Sequence, residues 1–158
     1  MRRLFLTLLM SSILAFSSSA ACFASTTAEG DVAVEYYSDG SYATIEMVID
    51  EDTIPCASAA MKTKSATRTY TFYNANKQKA WAFSLKGTFQ YNNTSATATA
   101  SSCSTQKFIS GWSCVSKRSS KAGATVKGSS TFKYLTLTKS VPQPFGMKCS
   151  AKGTISAL

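Results

Sequence analysis

Between residues 80 and 91, Trp81, Phe83, Leu85, Phe89 and Tyr91 share one parity, while Ala82, Ser84, Lys86, Thr88 and Gln90 share the other. A period of two places all five large apolar groups on one side of an extended strand, which a helix would not do. A strand with one apolar face needs a second layer to cover it. Gly87 interrupts the row and predicts a bulge or a bend, and Asn92-Asn93 ends the strand. Residues 67–73 form a second β-favouring run, joined to the first through the polar connection 74–79 in the manner of a hairpin.

The same reasoning extends along the chain. Runs 30–37 and 42–49 flank Ser38-Asp39-Gly40-Ser41, a D-G turn between strands, and Ile45, Met47 and Ile49 alternate with Thr44, Glu46 and Val48. Residues 50–60, with Pro55 among them, read as a loop. Shorter Ser/Thr/Ala-rich pieces follow at 96–103, 111–117, 124–138 and 146–156, divided by Lys121-Ala122-Gly123 and Pro142-Gln143-Pro144. No stretch after residue 24 has a helical apolar period. About seven or eight short antiparallel strands predict an all-β fold, a small antiparallel β-sandwich of the Ig-like or jelly-roll-like kind, with an open β-barrel as the alternative.

Met1-Arg2-Arg3 followed by the apolar stretch 4–16 predicts a signal peptide over residues 1–24, too short to span a bilayer. Cleavage after Ala24 fits the small residues there, and so does cleavage after Ala21, which would leave Cys22 first, as in a lipoprotein. The expected product is secreted or cell-wall associated, with no transmembrane segment after the signal and residues 25–158 as a single domain. Cys56, Cys103, Cys114 and Cys149 remain in it, an even number suited to two disulfides. Four cysteines permit three pairings, which sequence alone does not separate; the favoured one is Cys103 with Cys114, closing a local loop, and Cys56 with Cys149.

Charge is segregated along the chain. All eight acids, from Glu29 to Asp52, precede all the bases of residues 25–158, which run from Lys62 to Lys152; these number 17 minus Arg2 and Arg3, or 15. The acidic hairpin is therefore expected to pack on a basic body and partly neutralise it, or to leave a cationic face for an anionic polymer. A detachable acidic segment masking a cationic toxin is a further reading.

With no His in the chain, Ser-His-Asp and Cys-His catalysis and His-bearing zinc sites are excluded. Carboxylate pairs for glycoside hydrolysis can come only from residues 29–52, where Glu46 reads as a solvated strand position. No catalytic residue, metal ligand or cofactor is assigned. Asp50-Glu51-Asp52 is the single cluster suited to a hard cation, and three consecutive acids are more often a solvated loop. Interleaved bases and aromatics also suit single strands of nucleic acid, but export sets nucleic acid aside as a partner. Trp81 is expected in the core, and Trp112, of one parity with Cys114, over a disulfide. Tyr36, Tyr37 and Tyr42, with Tyr73, are the candidate exposed binding aromatics, able to stack on sugars. Asn92-Asn93-Thr94-Ser95 contains glycosylation sequons, uninformative if the expected origin is bacterial.

Several short pieces resemble a family of small exported proteins of anaerobic Gram-positive bacteria that brings no assigned activity. They are Glu35-Tyr36-Tyr37-Ser38-Asp39-Gly40-Ser41-Tyr42, residues 70–74 leading to Trp81, Gly87-Thr88-Phe89-Gln90-Tyr91-Asn92, Trp112 with Ser116-Lys117, and Cys149-Ser150-Ala151-Lys152-Gly153. The resemblance implies a β-rich exported domain and supplies no site residues. The expected function is that of a non-enzymatic surface domain binding an anionic cell-wall polymer, a glycan or a surface protein, with a cationic toxin or a carbohydrate-binding module as alternatives.

Overall fold

The computed structural model describes residues 32–50 and 61–158, so the expected signal peptide, Cys22, Cys56, Glu51 and Asp52 lie outside the described residues. The described chain forms β1 (Ala33–Tyr36), β2 (Tyr42–Asp50), β3 (Lys62–Tyr73), β4 (Lys79–Tyr91), β5 (Ala96–Lys107), β6 (Ser113–Ala122), β7 (Thr125–Tyr134), β8 (Leu137–Ser140), β9 (Gly146–Cys149) and β10 (Ile155–Ala157). One antiparallel sheet has the order β1-β2-β3-β4-β5, the other β10-β9-β7-β6 with β8 also on β7. The two sheets make a small β-sandwich and no closed barrel.

Strand order corrects one expectation. Through the first sheet each strand pairs with its neighbour in sequence, which is a meander, whereas Ig-like and jelly-roll sandwiches need Greek-key crossings. Tight turns cause this at three of the four junctions, β1–β2, β3–β4 and β4–β5, because a short connection leaves its strands no partner but each other. In the first turn Gly40 takes φ 78° and its N–H donates to the Tyr37 carbonyl at 3.1 Å. In the second, Lys77 takes φ 60°, and the Asn74 side chain accepts from the Gln78 N–H at 2.9 Å. Asn92 Oδ1 accepts the N–H groups of Thr94 and Ser95, so this asparagine has a structural task as a turn former.

The expected apolar row of β4 is the centre of the core. Trp81, Phe83, Leu85 and Phe89 are fully buried. Trp81 stacks on Phe132 of the opposite sheet with centroids 4.0 Å apart and planes 13° from parallel, and on Phe72 of its own sheet at 5.2 Å. Trp112 does not cover a disulfide; it packs 5.8 Å from Phe72 and 6.2 Å from Trp81, capping the same aromatic cluster.

Gly87 does not break its strand. The β3 ladder continues through it, and the register shift on the β5 side falls between Thr88 and Phe89. Its necessity lies across the sandwich, where an added Cβ would stand 2.8 Å from Val126 Cγ2. Gly128 is its counterpart on β7, with Phe83 Cζ 2.8 Å and Leu85 Cδ1 3.0 Å from such a Cβ. Each glycine is thus a hole filled by a side chain of the facing sheet.

β8 and β9 lie in succession along one edge of β7, separated by Pro142-Gln143-Pro144. Both prolines lack an N–H. The Gln143 side-chain amide substitutes by donating to the Gly128 carbonyl at 3.1 Å, while Gly128 N–H reaches Phe145 O at 2.9 Å. The sandwich is closer to closure on one side than on the other. Where β5 meets β6, Ala98 N–H donates to Gly123 O at 2.7 Å; between β1 and the Pro142 segment the layers stay apart.

Two substitutions test this arrangement in urea unfolding. Trp81→Ala is expected to cost about 3–5 kcal/mol, as for a large buried aromatic. Gly128→Val is expected to cost about 1–3 kcal/mol by overpacking. A cost for Gly128→Val near that of a surface change would refute the hole-filling account.

Candidate functional site

Three of the candidate tyrosines form a row on the outer face of the first sheet. Tyr36 pairs in register with Tyr42, and Tyr42 with Tyr73, so their side chains point the same way at one end of β1, β2 and β3. Tyr42 and Tyr73 are stacked at 4.5 Å and 2° from parallel, and Tyr36 lies 6.0 Å from Tyr42. Tyr37 is not part of the row. Successive residues of a strand face opposite ways, and Tyr37 turns inward, 6.1 Å from Phe72, with its hydroxyl hydrogen-bonded to that of buried Tyr70. Tyr36 alone is 81% exposed. Tyr42 and Tyr73 each cover one face of the other, so much of the row's ring surface is taken up within it.

The acidic hairpin packs on the body as expected and meets particular bases. Asp39 bonds Lys139 Nζ at 2.9 Å, and Asp50 lies 3.8 Å from Lys86. Lys139 also lies 4.7 Å above the Tyr37 ring. Glu46 projects from the outer face and is exposed. Asp50, the single described member of the acidic triplet, lies beside Lys86, and the other two members fall outside the described residues.

The bases do not gather on one face. Arg68 and Lys139 turn into the sandwich, Lys79 and Lys86 lie on the tyrosine-bearing sheet, and Lys121 Nζ bridges from β6 to the Thr99 carbonyl of β5 at 2.6 Å. A distinct set lies on the outer face of the second sheet. Val126 and Phe132 point inward, so Thr125, Lys127, Ser129, Thr131 and Lys133 point outward along β7. Register places Arg118 opposite Ser129, Ser120 opposite Lys127, and Lys148 opposite Thr125 on the same side. Arg118, Lys127, Lys133 and Lys148 thereby share a face whose other members are mostly Ser and Thr. No Asp or Glu side chain follows Asp52 to oppose them within that sheet. An open groove of about 590 Å³ is set into this face, lined by Ser120, Ala122, Thr125, Lys127, Pro144 and Leu158. The alternation signal that would have found this face is weak, because β6 is almost wholly polar and exposed.

The expected local disulfide is not formed: Cys103, Cys114 and Cys149 are free thiols. Register explains the first pair. Cys103 pairs with Leu85, whereas Cys114 pairs with Phe132 in the layer of Trp81, whose own β5 partner is Lys107. The offset is thus 107 minus 103, or four residues, about 13 Å along a strand and well beyond the ~7 Å limit between bridged Cα atoms. Cys149 is buried, and burial pushes its thiol pKa up, against a downward pull from Lys64. Its expected partner, Cys56, lies outside the described residues.

No family model, curated protein or solved structure matches the chain.

One group in the hairpin titrates with a readable signature. The Ser41 hydroxyl, then Lys139, then the Ser41 N–H hold the Asp39 carboxylate down at about 2 from an ordinary 3.8. A depressed carboxylate pKa stabilises the fold above the unfolded value and loses that contribution as pH falls through the folded one. Wild type is therefore expected to exceed Asp39→Asn in stability by a constant margin above about pH 4, shrinking toward zero near pH 2. Since Asp39 is half exposed, the margin is small, and a fluorescence-monitored urea series across that range reads it.

Proposed function

We propose that this chain is a non-enzymatic exported domain, secreted or cell-wall associated, that holds an anionic surface polymer against the outer face of β6, β7 and β9. The observation that carries this reading is the set Arg118, Lys127, Lys133 and Lys148 on one face with no acid among them. Apposed like charges on a rigid sheet attract a polyanion over a Debye length and gain by releasing its counterions. Ser and Thr between the bases supply hydroxyl donors suited to phosphate or carboxylate oxygens.

The alternatives find less support. A cationic toxin released by loss of residues 25–53 would have to survive without β2, which contributes buried Ala43 and partly buried Ile45 and Met47 to the core. A sugar-stacking module needs open ring faces, and two of the three rings in the tyrosine row cover each other.

Retention of the purified protein on isolated cell walls is the test. Wild type is expected to bind at low salt and elute at high salt. The combined Arg118→Glu, Lys127→Glu, Lys148→Glu variant is expected to lose at least about tenfold in apparent affinity, as removal of charge contacts to a polyanion predicts. Lys79→Glu with Lys86→Glu, on the other sheet, should lose less. Equal losses from both variants would sink the assignment of the face, and salt-insensitive binding would sink the polyanion.

A further inference from the structure

A different part of the molecule carries an independent inference: we propose that one end of the sandwich docks on an anionic lipid surface, with Leu135 inserted at the depth of the headgroups. That end is made by the connections 37–41, 74–78, 108–112 and 135–136. Register brings the first three together, since Tyr36 pairs with Tyr42, Tyr42 with Tyr73, Tyr73 with Lys79 and Trp81 with Lys107. The fourth joins them across the sandwich: Trp112 lies 5.5 Å from Tyr134, and Lys139 of β8 holds Asp39 at 2.9 Å.

Leu135 is the residue there that the fold does not account for. It sits in the two-residue link between paired Tyr134 and Leu137, takes φ 51° and is 79% exposed. A left-handed backbone at a hairpin tip suits Asn or Gly, and a leucine in it carries strain while adding nothing to the core. Strain held at an exposed tip points to a task for the side chain outside the fold. Its neighbours extend the apolar character, because Tyr134, Leu137 and Phe108 are exposed at the same end. Tyr36 and the rest of the tyrosine row stand at its rim.

Charge at this end is positive. Asp39 is the one acid in the four connections, and Lys139 answers it. Lys77 within the second connection, with Lys79, Lys107 and Lys133 at the strand ends, is exposed like them. Lys79 Nζ stands 4.4 Å from the Phe108 ring centroid, so its charge is carried beside an exposed aromatic face. An aliphatic tip among amphipathic rings and lysines is the composition of a membrane interface: the tip enters, the rings lie at headgroup depth, and the ammonium groups reach the phosphates. A protein partner is favoured by one contiguous apolar patch. Here the apolar groups stand on separate connections with lysines between them, an arrangement that a fluid surface accepts. The net positive charge selects anionic over zwitterionic lipid.

Co-sedimentation of residues 25–158, which contain every described strand, with lipid vesicles tests this. Vesicles of equal parts phosphatidylcholine and phosphatidylglycerol are expected to bind the protein at least about fivefold more tightly than phosphatidylcholine alone. Asn tolerates a left-handed backbone, so Leu135→Asn is expected to unfold in urea no earlier than wild type and yet to lose at least about tenfold in affinity for the anionic vesicles. Leu135→Gly is the second variant, with the same expectation. Lys77→Asn combined with Lys107→Gln should lose at least about fivefold. Retention of Leu135→Asn on isolated cell walls should equal that of wild type, so the polymer reading and this one fail separately. Unaltered vesicle binding by folded Leu135→Asn and Leu135→Gly would overturn the proposal, as would equal binding to the two kinds of vesicle. Absence of sedimentation would overturn it too, and would leave this end to a protein partner.

Discussion

The contact between Trp81 and Phe132 is the one on which the rest of this sandwich depends. It joins the two sheets through near-parallel rings 4.0 Å apart, and Tyr70, Phe72 and Trp112 collect around the same indole. Offset aromatic stacks fix both the separation and the lateral position of the layers they join. The cluster also carries a cost, since the buried Trp81 indole N–H has no hydrogen-bond partner among the described residues. With the aromatic end of the core set at that spacing, the remainder must accommodate it, and the two inward glycines are the accommodation. Val126 fills the hole at Gly87, and Phe83 with Leu85 fills the hole at Gly128. Large and small residues alternate across the interface, as close packing requires.

From that spacing follows the character of each lateral side. On the β5–β6 side, at the end where β6 turns into β7, the strands come close enough for a backbone bond and for Lys121 to reach Thr99. On the far side the interruption between β8 and β9 prevents the second sheet from following β1. Gln143 repairs the ladder that the prolines break, and Arg68 ties the Gly146 and Leu158 carbonyls to the first sheet. Pro144 and Leu158 then border two spaces, the basic groove outside and the interlayer cavity within.

Much of this was legible wherever residues alternate. The β4 row, the D-G hairpin and the polar connection before Lys79 each appear at their expected places, because side-chain period and turn chemistry are local. β6 ran longer than expected: Lys117-Arg118-Ser119-Ser120 has no apolar alternation, and the strand is held by its ladder to β7 rather than by burial. Tyr36 and Tyr37 were both placed outward, although neighbours on a strand take opposite faces; the parity already set by Ile45 and its partner Ala33 assigns Tyr37 to the core. The Cys103 and Cys114 positions are close in sequence, but only the cross-sandwich register reveals that they stand in different layers. Arg68 belongs to a row with Tyr70 and Phe72 that alternation could have identified, and a charge within an apolar row was the available signal.

The segregation of charge acquires a physical sense once the strands are placed. A meander keeps sequence neighbours together, so among the described residues the acids of the first hairpin meet what lies beside it: Asp50 meets Lys86 on the same sheet, Asp39 meets Lys139 across the sandwich, and the field of Glu35 reaches Arg68. A Greek key would have interleaved the acidic hairpin with later strands and spread its neutralising effect. Here topology confines it, and the second sheet retains its positive field because the chain order never returns an acid to it. The same order makes the interlayer space where the first strand meets the basic body a place that Glu35 and Arg68 line together.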